Sequence, residues 1–404
     1  MKVLMFGWEF APIYSGGLGV ACAGLTKGLV NKNVEITFVI PKKKEEIKTH
    51  VNLVSAEELM GKIKTIQITS LLTPYITQEA YCLVKNVGKK FSDFIYGENL
   101  FDEVHRYSEA AKQIAIEEQF DIIHAHDWLT FKAGINAKKI SKKPLVVHVH
   151  ATEYDRTAGL GANPLVYEIE KEGLEKADRI IAVSNYTKNL IMREYNIPSH
   201  KIEVVHNAVE FENYDVEPTK ISEDDKIVLF LGRITIQKGP DYFVEMAKKV
   251  SEIIPNVKFI VAGSGDMEHR MVEKAAELGI GDRMLFAGFL KGKDIARAYK
   301  MADVYVMPSV SEPFGITPLE AIKNGTPVII SKTSGVSEII KNAIKVDFWD
   351  IDKMTNAVVG ILKYPPLKET LREESLKEIQ NISWSKAAEK CVEIYRGLLG
   401  GCVC

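Results

Sequence analysis

Short apolar runs recur along this chain, each ending in a polar or glycine-bearing tip. That recurrence restricts the fold more than any other feature. Lys2 to Phe6, Val34 to Ile40, Asp121 to Trp128, Pro144 to His150 and Asp178 to Val183 follow the pattern in the first half. Near-continuous apolar runs of this length suit strands buried on both faces. Helical stretches lie between them: one from the loop Tyr14 to Gly19 as far as about Asn31, an amphipathic one from Val104 to Gln119, and one that Ser184 can cap. Strands alternating with helices predict an α/β chain whose parallel sheet is covered on both faces. Lys64 to Leu71 and Ala80 to Lys85 also read as strands, Asn86 to Asn99 as an irregular loop, and Lys42 to Lys48 as a solvated charged turn. Between about Glu203 and Asp225 the alternation lapses into a polar, acidic stretch, which marks a domain boundary. It restarts with Lys226 to Leu231, a helix from Asp241, Val257 to Ala262, a helix after Asp266, then Arg283 to Gly288, Asp303 to Met307 and Thr326 to Ile330. The stretch Trp384 to Leu399 reads as a closing amphipathic helix. The expected division is 1–205, 206–380 and 381–404.

Composition excludes several classes of function. With 404 residues the chain can build two or more sizeable cores. Its formal net charge is −2; the first 203 residues carry 26 basic and 25 acidic side chains and the remainder 26 and 29. Neither half is basic, so nucleic acid is not an expected partner, and nothing draws the chain to an anionic membrane. No apolar run approaches the ~20 residues of a membrane span, and Met1 to Gly7 is too short for a secretory signal. The expectation is a cytoplasmic protein without integral membrane association. Of the five cysteines, Cys22, Cys82 and Cys391 stand singly in apolar surroundings and read as reduced core thiols, while Cys402 and Cys404 close the chain without a lipidation pattern.

The polar tips carry the chemistry, since ligands in open α/β sheets sit at the carboxyl ends of strands. The stretch Glu312-Pro313-Phe314-Gly315-Ile316-Thr317-Pro318-Leu319-Glu320 follows one strand and opens a helix that reads as Pro318 to Asn324, closed by Gly325. Glu312 and Glu320 stand eight positions apart and straddle the turn. The amides of Phe314, Gly315 and Ile316 lie near a helix N-terminus, which attracts phosphate or sugar oxygens. Two solvated glutamates at a helix start would give the same string. Gly232-Arg233-Ile234-Thr235-Ile236-Gln237-Lys238-Gly239 places a guanidinium and an ammonium in one loop, five positions apart. A diphosphate needs such a pair, although an exposed basic turn would look alike. The glycine loops at Gly16-Gly17 and at Gly263 and Gly265 can bring backbone close to a phosphate, base or ribose, or can simply make turns. Asp127 can be a helix cap, and His150 can be a core histidine.

In order along the chain, Gly16-Gly17, His126-Asp127-Trp128, His150, Arg233 with Lys238, and the E-x7-E pair Glu312 and Glu320 resemble the signature of retaining GT-B glycosyltransferases of the glycogen and starch synthase type. Where that group carries lysine in K-x-G-G, this chain has Tyr14. The resemblance implies the GT-B fold: two Rossmann-like domains with a central cleft and a C-terminal helix crossing back to the N-terminal, acceptor-side domain. It implies transfer of a hexose, glucose first, from UDP- or ADP-glucose to an α-glucan or other hydroxyl acceptor. Arg233 and Lys238 would neutralise the leaving diphosphate, so no cofactor and no metal is expected; the nucleotide sugar is a co-substrate. His150 and Asp127 would lie by the sugar, Glu312 and the Gly315 backbone would hold it, and Glu320 would hold the ribose. Gly263 and Gly265 would face the base or ribose, and the Gly16-Gly17 amides the diphosphate. The alternatives are a glucosyl- or mannosyltransferase of cell-envelope, lipid or small-molecule acceptors, a nucleotide-sugar epimerase on the same fold, and a two-lobed binding protein without chemistry.

Overall fold

The computed structural model describes residues 1–11, 16–41, 51–55, 100–210, 216–217 and 224–400. Tyr14, Cys82, Cys402, Cys404, the charged turn at Lys42 to Lys48, the expected strands at Lys64 to Leu71 and Ala80 to Lys85, and the loop Asn86 to Asn99 lie outside these residues. The chain forms two compact units, one of Met1–Glu153, Ala162–Ala208 and the segment from Trp384 onward, the other of Tyr154–Gly161 and Val209–Ser383.

In the first unit seven parallel strands, β1 (Lys2–Phe6), β2 (Glu35–Ile40), β3 (Asn52–Ser55), β4 (Ile122–His126), β5 (Leu145–Val149), β6 (Arg179–Ala182) and β7 (Ile202–Val204), form one sheet in the order β3-β2-β1-β4-β5-β6-β7. Helices α1 (Gly17–Val30), α2 (Leu100–Glu117), α3 (Trp128–Ser141), α5 (Pro164–Lys176) and α6 (Asn185–Tyr195) connect them, while all but the first residue of the short α4 (Glu153–Arg156) belong to the second unit. Strands β4 and β5 are buried along their whole length, as sheet covered on two faces requires. Ser184 caps α6 as expected, accepting from the Thr187 amide. Helix α5 has a legible start that the pattern reading passed over: Asn163 accepts from the amides of Leu165 and Val166, and Pro164 stands at the first helical position.

The second unit repeats the design. Strands β8 (Lys226–Leu231), β9 (Val257–Ala262), β10 (Met284–Gly288), β11 (Val304–Met307), β12 (Val328–Ser331) and β13 (Ile344–Val346) form a parallel sheet in the order β10-β9-β8-β11-β12-β13. Its helices are α7 (Pro240–Ile253), α8 (Glu268–Glu277), α9 (Lys293–Met301), α10 (Ile316–Lys323), α11 (Ile351–Lys363) and α12 (Pro365–Ile379). Val228, Phe230, Phe243, Met246, Val250, Phe259 and Val261 are central to its core. Strands β7 and β13 were not legible as strands because three residues at a sheet edge carry no periodicity. Helix α10 starts two residues earlier than its proline suggested. Pro318 sits in the first turn, where its missing N–H breaks no helical bond.

The last helix, α13 (Trp384–Leu398), packs on α1 in the first unit. Gly24 and Gly28, one helical turn apart, permit this approach. A Cβ on Gly24 would lie inside the Trp384 indole, and one on Gly28 would meet the Trp384 carbonyl. Cys391 on α13 and Cys22 on α1 are buried free thiols, as read from sequence. Among the described residues no helix is long and apolar enough to cross a membrane. Both units are Rossmann-like: each sheet reverses its strand order once, between β1 and β4 and between β8 and β11. Crevices at such reversals are where these sheets bind ligands.

Candidate functional site

At the first reversal, the carboxyl ends of β1 and β4 meet the N-terminus of α1. Gly16 is the N-cap of α1, in extended conformation, and Gly17 is its first residue. A carboxylate already lies here. Glu9, almost fully buried, accepts from the Gly19 amide at 3.3 Å, and a Cβ on Gly16 would collide with its Oε2. The positive end of the helix dipole favours that carboxylate. Gly17, by contrast, is exposed, and no atom of the described residues that it could meet lies within 4 Å of an added Cβ.

Asp127 ends β4 with φ 59° and ψ 170°, a conformation that costs a non-glycine residue about 1–3 kcal/mol. Its side chain makes no cap bond to α3. Instead its Oδ1 accepts from the backbone N–H of His150 at 2.6 Å and of Ala151 at 3.3 Å, tying the end of β4 to the end of β5. The structure thus brings Asp127 and His150 together through a side chain to backbone bond.

His150 is one of four histidines on the same sheet face. His124 and His126 alternate on β4, His148 and His150 on and just past β5, and the register sets His126 opposite His148. The imidazoles of His124 and His126 stack at 4.3 Å between centroids and those of His148 and His150 at 4.2 Å. His126 Nδ1 meets His150 Nε2 at 3.0 Å, and His124 Nδ1 meets the Tyr395 hydroxyl of α13 at 2.5 Å. Burial pushes all four toward the neutral form, His124 to about 3 and His126 and His148 far down; for His150 the Asp127 carboxylate partly opposes the shift. The i, i+2 spacing in His124-Ala125-His126 and His148-Val149-His150 was the signal for this stack, and reading each strand separately missed it.

At the second reversal the loop after β8 meets the loop after β11. Arg233 donates to Gln237 Oε1 at 3.1 Å, and the buried Gln237 accepts from the Val310 amide through its carbonyl. Lys238 forms an ion pair with Glu312, whose Oε2 also accepts from the Ser309 hydroxyl at 3.4 Å. The sequence placed Lys238 at a diphosphate and Glu312 at a sugar; the fold joins the two side chains directly. Glu312 is fixed further by its backbone, which bonds to Thr333 and Gly335 in a parallel bridge to Ser334.

Gly315, the N-cap of α10, has φ 100°, so glycine is required there. Phe314 just before it is buried, and Ile316 begins the helix. Glu320, half-buried on α10, accepts from the Tyr299 hydroxyl at 3.2 Å. Burial raises the Glu320 carboxyl above its usual range, and the Tyr299 bond opposes that shift. Thr317 bonds the Tyr305 hydroxyl at 2.8 Å, and Tyr305 also donates to the Leu231 carbonyl at 3.2 Å. These tyrosines tie α10 to β8 and α9, and no local pattern marked them. Gly263 and Gly265 have a packing reason of their own, since a Cβ on either would run into the carbonyl oxygen of Gly232 or Ile234.

Comparison with known proteins agrees with this architecture. Residues 212–378 match the family model described as Glycosyl transferases group 1, and residues 15–213 match that of Glycosyltransferase Family 4. An uncharacterized glycosyltransferase of Methanocaldococcus jannaschii is 30% identical over 98% of each chain. Among solved structures, the sucrose-phosphate synthase of Thermosynechococcus elongatus superimposes with a TM-score of 0.77 at 19% identity over 99% of both chains. Anabaena HepE, solved in complex with UDP and glucose, does so with 0.70 at 15% identity over 98% of this chain and all of that one. These likenesses show the GT-B fold. The chain is a glycosyltransferase of group 1.

Proposed function

We propose that the protein transfers a hexose, glucose first, from a nucleoside diphosphate sugar to a hydroxyl acceptor with retention of anomeric configuration. The observation that carries this reading is the cluster at the β8–β11 reversal. Gln237 holds Arg233 and Glu312 holds Lys238 there, beside the glycine-started N-terminus of α10. Preorganised cations and helix amides are what a departing diphosphate requires. The two cations take over the charge stabilisation that a metal would supply, so transfer needs no metal.

The roles follow from position. Arg233 and Lys238 hold the diphosphate, with Glu312 presenting Lys238 at rest and facing the sugar once the ammonium turns to phosphate. The α10 amides near Phe314, Gly315 and Ile316 add to the donor contacts. Glu320, oriented by Tyr299, accepts from the ribose hydroxyls, and Gly263 and Gly265 let backbone approach the nucleoside. In the first unit Asp127 and His150 contact the sugar. Gly17, on the open side of α1, offers its amide to donor oxygens, while Gly16 sits against Glu9. UDP-glucose is the first donor to test, supported by the HepE complex with UDP and glucose; ADP-glucose is the second. The acceptor is an α-glucan or a smaller hydroxyl compound.

The test is a thermal-shift screen of nucleoside diphosphate sugars. Transfer with the best donor follows, in the presence of EDTA, with the anomeric configuration of the product read by NMR. Retained configuration is expected. An inverted product would overturn the mechanism, free epimerised sugar without acceptor would favour an epimerase, and binding without turnover would favour a sequestering protein.

A further inference from the structure

The four stacked histidines do more than one glycosyl transfer needs. His150 alone has a place in the proposed chemistry, yet His124 Nε2, His126 Nε2, both nitrogens of His148 and His150 Nδ1 are buried without a hydrogen-bond partner. Unsatisfied buried nitrogens cost about 1–3 kcal/mol each, and the one ring-to-ring bond in the stack, between His126 Nδ1 and His150 Nε2, is where two metal-competent nitrogens already converge. Two triads bring their donor atoms within 4.8 Å of one another: His124 with His126 and His148, and Cys22 with His126 and His150. Geometry separates them. In the first, the His124 ring lies within 15–19° of parallel to the other two. Lone pairs in stacked, parallel ring planes do not converge on one ion. In the second, the two rings are tilted by 32° and already present nitrogens to each other at 3.0 Å, with the thiol of α1 alongside.

We propose that Cys22 Sγ, His126 Nδ1 and His150 Nε2 form a binding site for a borderline-to-soft divalent cation of the Zn2+ class. Nitrogens on a tetrahedral ion with bonds of about 2.0–2.1 Å stand about 3.3 Å apart. The His126–His150 pair therefore has to open by only a few tenths of an ångström, and the sulfur has to close to about 3.6 Å by a change of rotamer. Three protein ligands leave a fourth position for water or another donor.

The balance of protons is simple. At rest one proton lies between His126 Nδ1 and His150 Nε2. On binding, that imidazole changes tautomer and its proton moves to the far nitrogen, His126 Nε2 or His150 Nδ1. Both rings stay neutral, which burial already favours. The Cys22 thiol loses its proton to solvent, so one proton is released per ion. The carboxylates of Asp127 and Glu9, close enough to disfavour the Cys22 thiolate, would offset the charge that remains. The diphosphate stabilisation proposed for Arg233 and Lys238 does not use the ion, which shares only His150 with the proposed sugar contacts.

The experiment uses the full chain with Cys402→Ser and Cys404→Ser, which removes competing tail thiols. The protein is stripped with EDTA, dialysed, and titrated with Zn2+ by calorimetry and with Co2+ by absorption. The expected results are one equivalent of Zn2+, release of one proton, a thiolate-to-cobalt charge-transfer band, and a higher Tm with Zn2+. Cys22→Ala should abolish the band, and Cys22→Ala or His150→Ala should each weaken Zn2+ binding by about a hundredfold. Because His150 is partly exposed whereas Cys22 is fully buried, His150→Ala is the variant expected to keep the fold. Absence of saturable binding in the parent protein overturns the site, as does a cobalt band or Zn2+ affinity that survives His150→Ala. Loss of transfer in EDTA would overturn the metal-free reaction and leave the ion site standing, so the two readings fail separately.

Discussion

The two reversals use the same topology to make opposite electrostatic environments. At the β1–β4 end the groups are buried: imidazoles kept uncharged chiefly by burial, and a carboxylate, Asp127, occupied by two backbone amides. At the β8–β11 end they are charged and paired: Lys238 on Glu312, and Arg233 on the amide oxygen of Gln237. Burial cost accounts for the contrast. A charge survives burial only with a partner, and a pair at a loop tip can exchange that partner for a ligand. A buried stack of neutral histidines needs no counter-ion. The proposed function accordingly puts charge recognition in the second unit and shape and hydrogen bonding in the first.

The strongest way to break this contrast is to remove the cations. Arg233→Ala and Lys238→Ala should each slow transfer by about 2–4 kcal/mol in barrier. Lys238→Ala also leaves Glu312 without its counter-ion and should lower unfolding free energy by about 1–3 kcal/mol. Steady-state kinetics and urea melts check both. Near-wild-type turnover in the two variants would end the assignment of charge recognition to this unit.

A second test lies in the packing of the first unit. Gly24→Ala should destabilise by about 1–3 kcal/mol through overpacking against Trp384. Gly17→Ala should leave the melting temperature unchanged, because its Cβ meets nothing, and should weaken donor binding if the open face of α1 receives the donor. Equal Tm losses in the two variants would contradict the described packing.

The two glutamates sharpen the division within the second unit. Glu320→Gln should raise donor KM several-fold with kcat nearly kept, about 1 kcal/mol of uniform binding. Glu312→Gln should lower kcat while calorimetry still finds nucleotide diphosphate bound. If Glu312→Gln keeps its turnover, or loses nucleotide affinity as badly as Glu320→Gln, their roles are not distinct.

The smallest effect is a pH dependence. The Glu320 carboxyl is raised in the folded protein by burial. A raised acid contributes stability that is fully present below its unfolded value, near 4.5, and is lost as pH climbs through the folded value. Glu320→Gln should therefore gain on wild type in Tm between pH 4 and pH 7, by the equivalent of about 0.5 kcal/mol or less given its partial exposure. A variant that loses ground over that interval would place Glu320 in a stabilising, charge-favouring contact instead.

What the sequence determined by itself is whatever local pattern encodes. Unbroken apolar runs such as Ile122-Ile123 and Leu145-Val146-Val147 can only be doubly covered strands, and their alternation with amphipathic helices dictates a parallel sheet. The lapse near Glu203 to Asp225 divides that alternation in two. The glycines, the cation pair and the E-x7-E stretch fall at strand ends because loops tolerate them there. Tertiary structure decided what no local window contains. Lys238 meets Glu312 from 74 positions away, His124 meets Tyr395 from 271, and the β4–β5 register alone aligns four histidines. Asp127 takes its left-handed backbone conformation because two amides of another strand hold its carboxylate, and Tyr299 reaches Glu320 only once α9 and α10 lie side by side. The physical reason is range. Hydrophobic periodicity acts over one or two turns of chain, whereas the partner of a buried polar group is fixed by packing among elements far apart in sequence.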